Sequence, residues 1–176
     1  AGMKSEEVTL VVYDVTSGKK VEIQTGEPKE QYLTQITWDP TGKFVYIGVL
    51  NRDQNHLKLN KYDVANGKLV ATLFEEKSTK WVEPQNPLTF LPNGKEFLYQ
   101  SERDGFNQLF LYNTNGKLVK KLGYEKVIVK DLLDFDAKGT SVSYMGITNN
   151  GLDRQLFSVD LKSGKTTQIT NVSGSH

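Results

Sequence analysis

Short stretches of alternating apolar and polar residues run along the chain and are separated by glycine-containing turns. In HLKLNKYDV (56–64) and QLFSVDL (155–161), apolar side chains recur at every second position over most of the stretch. This period is typical of a half-buried β-strand, because successive side chains of a strand point to opposite faces. We find no convincing stretch with the 3.6-residue period of an amphipathic helix. The pattern therefore predicts an all-β chain.

One turn recurs at a nearly constant interval. VYDVTSGKK, KYDVANGKL, LYNTNGKLV and VDLKSGKTT place glycines at 18, 67, 116 and 164, so the intervals are 49, 49 and 48 residues. A strand-like stretch precedes and follows each turn. Asn-Gly and Ser-Gly supply the positive φ angles that tight hairpin turns require, so each copy predicts a β-hairpin.

A second turn recurs out of phase with the first, in WDPTGKF, LPNGKEF and FDAKGTS, and the most apolar strands of the chain surround it. A third connection follows in each repeat: NRDQNH (51–56), SERDGFN (101–107) and TNNGLDR (148–154). One repeat thus contains four short antiparallel strands. Four strands at a period of roughly 40–50 residues are the signature of a β-propeller blade.

We therefore predict a partial β-propeller of about three and a half four-stranded antiparallel blades. Such a chain does not close a ring, since closed propellers have about four to eight blades. It is expected to belong to a larger propeller or to form a homo-oligomer through its open blade ends. A β-sandwich is the alternative, and the regular interval argues against it. The predicted bounds are a single partial domain over 1–176, a half blade at 8–25, blades at roughly 32–75, 86–122 and 127–170, and the start of the next blade at 171–176.

Composition excludes several classes of function. Lys and Arg number 22 against 21 Asp and Glu, which gives a formal net charge of +1. Without a basic excess or stripe, no nucleic-acid partner is predicted. The longest apolar runs are far below the roughly 20 residues of a membrane-spanning helix, so no membrane partner is predicted. The chain contains no cysteine, which excludes a disulfide framework and a cysteine-based zinc site.

Candidate ligand motifs fail at their key positions. DFDAKG (134–139) begins like a calcium-binding loop, but Lys138 occupies the fifth position and Met145 the twelfth, where a bidentate Glu is needed. GKT (164–166) lacks the first glycine of a phosphate-binding loop, because Val159 stands there. His56 has no neighbouring His or carboxylate pattern that suggests a metal. We therefore expect neither a metal nor a cofactor.

Because the strands of a blade run up and down, alternate connections lie on opposite faces of the propeller, which we call its two edges here. The tight turns occupy one edge. The third connections and the link EEKSTKWVEPQNP (75–87) occupy the other, and they are longer and more charged. Because binding groups collect on loops of a rigid scaffold, this second edge is the candidate functional face.

The segment WVEPQNPLTFLPNGKEFLYQSERDGFNQLFLYNTNGKLVKKL (81–122) resembles the propeller of bacterial dipeptidyl peptidase IV, in the prolyl oligopeptidase clan. ITWDPTGKFVYIGVLNRDQNHLKLNKYDVANGK (36–68) and the opening AGMKSEEVTLVVYDV (1–15) resemble the same family in the same order. The likeness covers essentially all of 1–170, and SERDGF (101–106) is its most specific string. It implies an eight-bladed propeller attached to an α/β-hydrolase domain. It also implies a serine exopeptidase that removes dipeptides with Pro or Ala in second position.

The catalytic groups that this resemblance implies lie outside the chain. The family uses a Ser-His-Asp triad, yet no G-x-S-x-G segment is present and the only histidines are His56 and His176. In the family, a glutamate pair that holds the substrate's amino group lies upstream of the segment matching AGMKSEE, so Glu6 and Glu7 are not that pair. We expect no catalytic residue in this chain and a serine-type dipeptidyl-peptidase as the parent protein. The resemblance further implies export of the parent, to the periplasm for example, by a signal that is absent here.

The resemblance implies that this chain contributes one wall of the substrate chamber. In the family, the link after a Trp-Val pair reaches the substrate pocket and carries basic and aromatic residues, whereas here it reads WVEPQN (81–86), shorter and without Arg or Phe. Trp81 and Glu83 are the candidate chamber residues. The alternative is that Trp81 packs between blades and Glu83 is solvated. Arg103 and Asp104 are predicted to brace their loop rather than to bind a ligand.

Two functions follow from the sequence. The favoured one is a propeller segment of a dipeptidyl peptidase IV-like serine exopeptidase, which lines the peptide chamber and docks the hydrolase domain of the same parent chain. The alternative is a non-enzymatic propeller scaffold that binds a protein partner. A downstream G-x-S-x-G segment would favour the first.

Overall fold

The computed structural model describes residues 6–124, 126–148, 151–172 and 174, so parts of the loop predicted at 148–154 and of the segment 171–176 lie outside the described residues. Within these ranges the chain forms fourteen β-strands and no α-helix, so the all-β prediction is confirmed. No helix in this described part is long and apolar enough to cross a membrane.

The strands form four antiparallel sheets, which we call A to D in chain order. Sheet A contains β1 (Val11–Tyr13) and β2 (Lys20–Glu22). Sheet B contains β3 (Gln31–Trp38), β4 (Phe44–Asn51), β5 (His56–Asp63) and β6 (Leu69–Lys77). Sheet C contains β7 (Thr89–Phe90), β8 (Glu96–Ser101), β9 (Gln108–Asn113) and β10 (Leu118–Leu122). Sheet D contains β11 (Ile128–Phe135), β12 (Ser141–Thr148), β13 (Asp153–Asp160) and β14 (Thr166–Gln168).

Within each sheet, consecutive strands of the sequence pair with one another, so sheets B, C and D are four-stranded meanders. Their two middle strands are the most buried. In sheet B, for example, all six inner positions of β4 are buried, whereas β6 at the outer edge is mostly exposed or half-buried. This connectivity is that of a propeller blade.

The chain divides into two compact units, Ala1–Leu88 and Thr89–His176, and each has its own core. Assignment of 1–176 as a single partial domain therefore stays a prediction. The core of the first unit lies between sheets A and B and contains Ile23, Val45, Ile47, Val49 and Tyr62. The core of the second unit lies between sheets C and D and contains Leu91, Leu98, Leu109, Leu111, Leu122, Val127, Val129, Val142, Tyr144, Phe157, Val159 and Leu161.

The periodic glycine of the hairpin turns has a second use in the first unit. Gly67 has a φ of +73°, and a Cβ at this position would lie 2.0 Å from the backbone oxygen of Glu22. The carbonyl of Gly67 accepts a hydrogen bond from the Gln24 amide at 2.8 Å. The turn of sheet B thus docks on the chain just after β2, and only glycine allows this approach.

The DFDAKG segment is a turn rather than a ligand loop in this structure. The Asp136 carboxylate accepts hydrogen bonds from the backbone amides of Thr140 and Ser141 at 2.6 and 2.7 Å. The bond from Ser141 is the main cause that lowers the pKa of Asp136 below its usual value of 3.8. The motif is therefore explained by closure of the hairpin between β11 and β12.

Candidate functional site

The link that follows β6, residues 78–88, lies against the loop that joins β4 to β5. The Ser78 amide donates to the Asn55 carbonyl at 3.0 Å, and the Val82 amide donates to the Gln54 carbonyl at 2.7 Å. Loop 52–55 and the start of link 78–88 therefore lie together at the same end of the strands of sheet B. The loop itself is closed by the Asn51 side chain, whose Oδ1 accepts from the amides of Asn55 and His56 at 3.0 and 2.9 Å.

Val82 fixes the middle of the link. Its side chain is buried with Leu50 and Leu57 at the ends of β4 and β5, and Tyr32 packs against this cluster. Because neighbours of a buried residue in an extended segment point the other way, Trp81 and Glu83 are directed outward. The Trp81 side chain is 64% exposed, and Glu83 is exposed as well. Their role in a substrate chamber stays a prediction.

The end of the link is held by β3. The Gln35 side-chain amide donates to the Asn86 carbonyl at 3.2 Å, and the Leu88 amide donates to Thr37 Oγ1 at 3.0 Å. Glu83, Pro84 and Gln85 therefore span two fixed points, Val82 and Asn86.

An ion-pair cluster lies where β6 ends and the link begins. Nε2 of His56 is 2.6 Å from Oε2 of Glu75, and Nζ of Lys77 is 3.4 Å from the same oxygen. The hydrogen bond from His56 is the main cause that lowers the pKa of Glu75 below its usual value of 4.5. At neutral pH this corner carries an ionised carboxylate.

Arg103 occupies the corresponding loop of sheet C, between β8 and β9. Its backbone amide and Nε donate to Ser101 Oγ at 3.1 and 3.2 Å, and Nη1 donates to the Tyr112 hydroxyl at 2.6 Å. The guanidinium carbon lies 4.3 Å from the centroid of the Phe110 ring. Asp104 forms an ion pair with Lys121 of β10. These are contacts expected of residues that brace their loop, and that role stays a prediction.

Sequence reasoning missed the buried amides at the start of the third strand in sheets C and D. Gln108 Nε2 donates to the Val127 carbonyl at 2.7 Å, and Gln155 Nε2 donates to the Val172 carbonyl at 2.6 Å. Each amide thus holds the segment that leaves the last strand of its sheet. The repeat of QLF at 108–110 and 155–157 was the available signal.

A small cavity opens in the second unit beside the loop of sheet C. Its volume is about 280 Å³, and it is lined by Phe106, Lys126, Ile128, Ile147, Thr148 and Gly151. This is slightly below the roughly 300–1,000 Å³ of typical small-molecule sites. In the described part of the chain, no group of three or more His, Cys, Asp or Glu side chains could hold a metal ion.

Comparison with protein-family models identifies the family of this chain. Residues 1–176 match the family model described as "Dipeptidyl peptidase IV (DPP IV) N-terminal region". A protein of Pyrenophora tritici-repentis described as a probable dipeptidyl-aminopeptidase B is 27% identical over 190 residues, which cover 99% of this chain and 22% of that protein.

Solved structures of two dipeptidyl peptidases contain a similar fold. A protein of Bacteroides ovatus assigned as a dipeptidyl aminopeptidase IV superposes with a TM-score of 0.88 at 35% identity, over 94% of this chain and 26% of that one. Dipeptidyl peptidase 4 of Porphyromonas gingivalis superposes with a TM-score of 0.79 at 22% identity, over 95% of this chain and 24% of that one. The chain thus spans about a quarter of these proteins or less. The partial β-propeller prediction is confirmed, and the sandwich alternative is wrong. The chain belongs to the dipeptidyl peptidase IV N-terminal region family, as the sequence resemblance indicated.

Proposed function

We propose that this propeller segment forms part of the substrate chamber of a dipeptidyl peptidase IV-like serine exopeptidase. Link 78–88 of sheet B supplies the wall. The observation that carries the proposal is the fixed geometry of this link: Val82 is buried and Asn86 is held, while Trp81 is 64% exposed. A fixed backbone with outward side chains can contact a ligand without first paying the entropy of ordering.

The two outward side chains suit a peptide with a free amino end. The Glu83 carboxylate adds negative charge that attracts a cationic peptide N-terminus toward the chamber, where the family's glutamate pair outside this chain holds the amino group. The Trp81 indole offers a broad apolar face to a peptide side chain. Neither group could perform acyl transfer, which requires a nucleophile and a base. Catalysis is therefore assigned to a hydrolase domain of the same parent chain, which this segment docks.

Family membership supports this proposal over the non-enzymatic scaffold. The family model and the relatives named above are all dipeptidyl peptidases by description. The eight-bladed ring, oligomer formation through open blade ends and export of the parent belong to the proposal as expectations. Sedimentation of the full-length protein and fractionation of cells that express it test the last two.

The test uses the full-length protein with the variants Trp81→Ala and Glu83→Gln. We expect kcat/KM for a tripeptide with Pro in second position to fall about five- to tenfold in each, while the free energy of unfolding changes by less than ~0.5 kcal/mol. Trp38→Ala is the matched control. Trp38 is a comparably exposed indole (50%) on sheet B, and it lies at the end of β3 that leads into the tight turn at Gly42. Unchanged kcat/KM in both chamber variants would refute the proposal. Chain 1–176 alone is expected to show no turnover of a Gly-Pro chromogenic substrate.

A further inference from the structure

Strand β3 is interrupted at Gln35. Thr34 pairs with Gly48 of β4 and Thr37 pairs with Tyr46, so two residues of β3 face a single residue of β4. This is the geometry of a β-bulge. Gln35 has a φ of +52°, in the left-handed region that residues other than glycine adopt infrequently.

The bulge turns the Gln35 side chain into the protein. Gln35 is only 7% exposed, and its Nε2 donates to the Asn86 carbonyl. Oε1 of the same amide finds no hydrogen-bond partner among the described residues. The Gln35 carbonyl accepts from Thr37 Oγ1 at 2.9 Å, and this hydroxyl in turn accepts from the Leu88 amide. One bulge therefore makes two polar contacts that hold residues 86–88.

Strand β4 is adapted to this amide. A Cβ at Gly48 would lie 2.8 Å from Gln35 Oε1 and 2.7 Å from Thr34 Oγ1, closer than real Cβ contacts. The absence of a side chain at Gly48 thus makes the space in which the Gln35 amide lies. A left-handed backbone and a buried acceptor without a partner both disfavour folding, and such features persist where the surrounding structure enforces them. They are concentrated at sites where geometry matters for function.

We infer that Gln35 is a positioning residue that sets the place of Glu83 in the chamber wall, an inference that rests on the proposed function. The link is fixed at Val82 by burial and at Asn86 by Gln35. When the contacts from the bulge to Asn86 and Leu88 are weakened, residues 83–86 can shift about Val82, and the position of the Glu83 carboxylate is less sharply defined. Trp81 lies before the pivot and keeps its place. Gln35 thus acts on substrate binding through the link and touches no substrate itself.

The first experiment compares Gln35→Asn with the unchanged full-length protein. Asn tolerates the left-handed backbone but is one methylene shorter, so its amide does not reach the Asn86 carbonyl. For a tripeptide with Pro in second position, we expect KM to rise about three- to tenfold with kcat unchanged, because uniform binding is lost. Hydrogen exchange should quicken at the Leu88 amide and stay slow at the Val82 amide.

Two threonines of the same strand give a matched pair that does not alter the bulge residue. Thr37→Val removes the acceptor of the Leu88 amide, whereas Thr34→Val removes a hydroxyl that bonds the Gly48 carbonyl of β4 at 2.9 Å. We expect the KM effect in Thr37→Val and not in Thr34→Val. If Gln35→Asn does not fold, the comparison of Thr37→Val with Thr34→Val still tests whether the bulge positions the link.

The outcomes separate this inference from the proposed function. If Glu83→Gln raises KM but neither Gln35→Asn nor Thr37→Val does, the link is a chamber wall and the positioning role of Gln35 is wrong. If Trp81→Ala and Glu83→Gln are both without effect, the proposed function fails first. An equal KM change in Thr34→Val and Thr37→Val would also overturn the inference, since it would indicate a general disturbance of β3.

Discussion

The link after sheet B and the link after sheet C each join the last strand of one sheet to the next sheet, but they are held in different ways. Link 78–88 of the first unit is fixed at Val82 and at Asn86, and the side chains of Trp81 and Glu83 face outward. Link 123–127 of the second unit, whose residue 125 is outside the described residues, is short and ends in the core at Val127, which is 3% exposed.

The short link is fixed by buried neutral amides. Gln108 binds the Val127 carbonyl, and the Asn107 side chain binds the Val129 carbonyl at 2.8 Å. Gly123 leaves the space for this arrangement, because a Cβ there would lie 2.4 Å from Gln108 Oε1. These contacts close the core of the second unit, to which Val127 and Val129 belong.

The difference indicates how a repeated scaffold acquires a functional wall. In the short link, the polar contacts at Val127 are buried and close the core, although Tyr124 and Lys126 are exposed. In the long link, two fixed points hold a backbone from which Trp81 and Glu83 are exposed. The two links also differ in length, with eleven residues in 78–88 and five in 123–127.

The largest effect is expected in the short link, for Gln108→Leu. The Val127 carbonyl would remain buried without a partner, which costs about 2 kcal/mol of unfolding free energy. Urea denaturation of the chain measures it. Gln85→Leu is the control of the same residue type in the long link, and we expect a change below ~0.5 kcal/mol there. Equal losses in the two variants would show that the links are held alike.

A smaller effect is expected from the arginines of the corresponding loops of sheets B and C, Arg52 and Arg103. Arg103 bonds the Tyr112 hydroxyl and lies within 6 Å of three aromatic ring centroids, whereas Arg52 contacts the hydroxyl and the ring of Tyr32 alone among the described aromatic residues. Arg103→Met should therefore cost about 1–1.5 kcal/mol of unfolding free energy, and Arg52→Met about 0.5 kcal/mol or less.

Thermal or urea unfolding of both variants checks this order. Combining Tyr112→Phe with Arg103→Met tests whether the hydrogen bond between these residues causes the loss. Tyr112→Phe should cost less in the Arg103→Met variant than in the unchanged chain, because the guanidinium that donates to the hydroxyl is already absent. A loss for Arg52→Met as large as that for Arg103→Met would contradict loop bracing by Arg103.

Local pattern was sufficient to predict the strands and the tight turns. The alternation in HLKLNKYDV corresponds to β5 (His56–Asp63), and the glycine at 67 has the positive φ that its turn requires. These features depend on residues close together in sequence, so a single chain reveals them. The exposed positions of Trp81 and Glu83 depend on burial of the residue between them, which the string WVEP does not disclose.

The devices that hold the links could not be predicted in the same way. LTQITW (33–38) has the composition of an uninterrupted strand, and nothing in it signals a left-handed Gln35. The bulge follows from contacts with Gly48 and Asn86, thirteen and fifty-one residues further along. Likewise, burial of Gln108 depends on Val127. Such cross-strand fits are invisible to periodicity, although the repeated QLF marks where one of them lies.

The smallest effect concerns pH and separates the links by chemistry. Ionised Glu75 contacts His56 and Lys77 where the long link begins, and its pKa is lowered below 4.5 chiefly by the His56 hydrogen bond. A carboxyl whose pKa is lowered on folding contributes stability that is present above its usual pKa and is lost as the pH falls through the folded value. The Glu75→Gln variant should thus have a lower urea midpoint than the unchanged chain at pH 6, and this difference should be smaller at pH 3. The amides of the short link do not titrate, so the loss in Gln108→Leu should be the same at both pH values. A Glu75→Gln difference that persists unchanged at pH 3 would mean that ionisation of Glu75 does not hold the start of the long link.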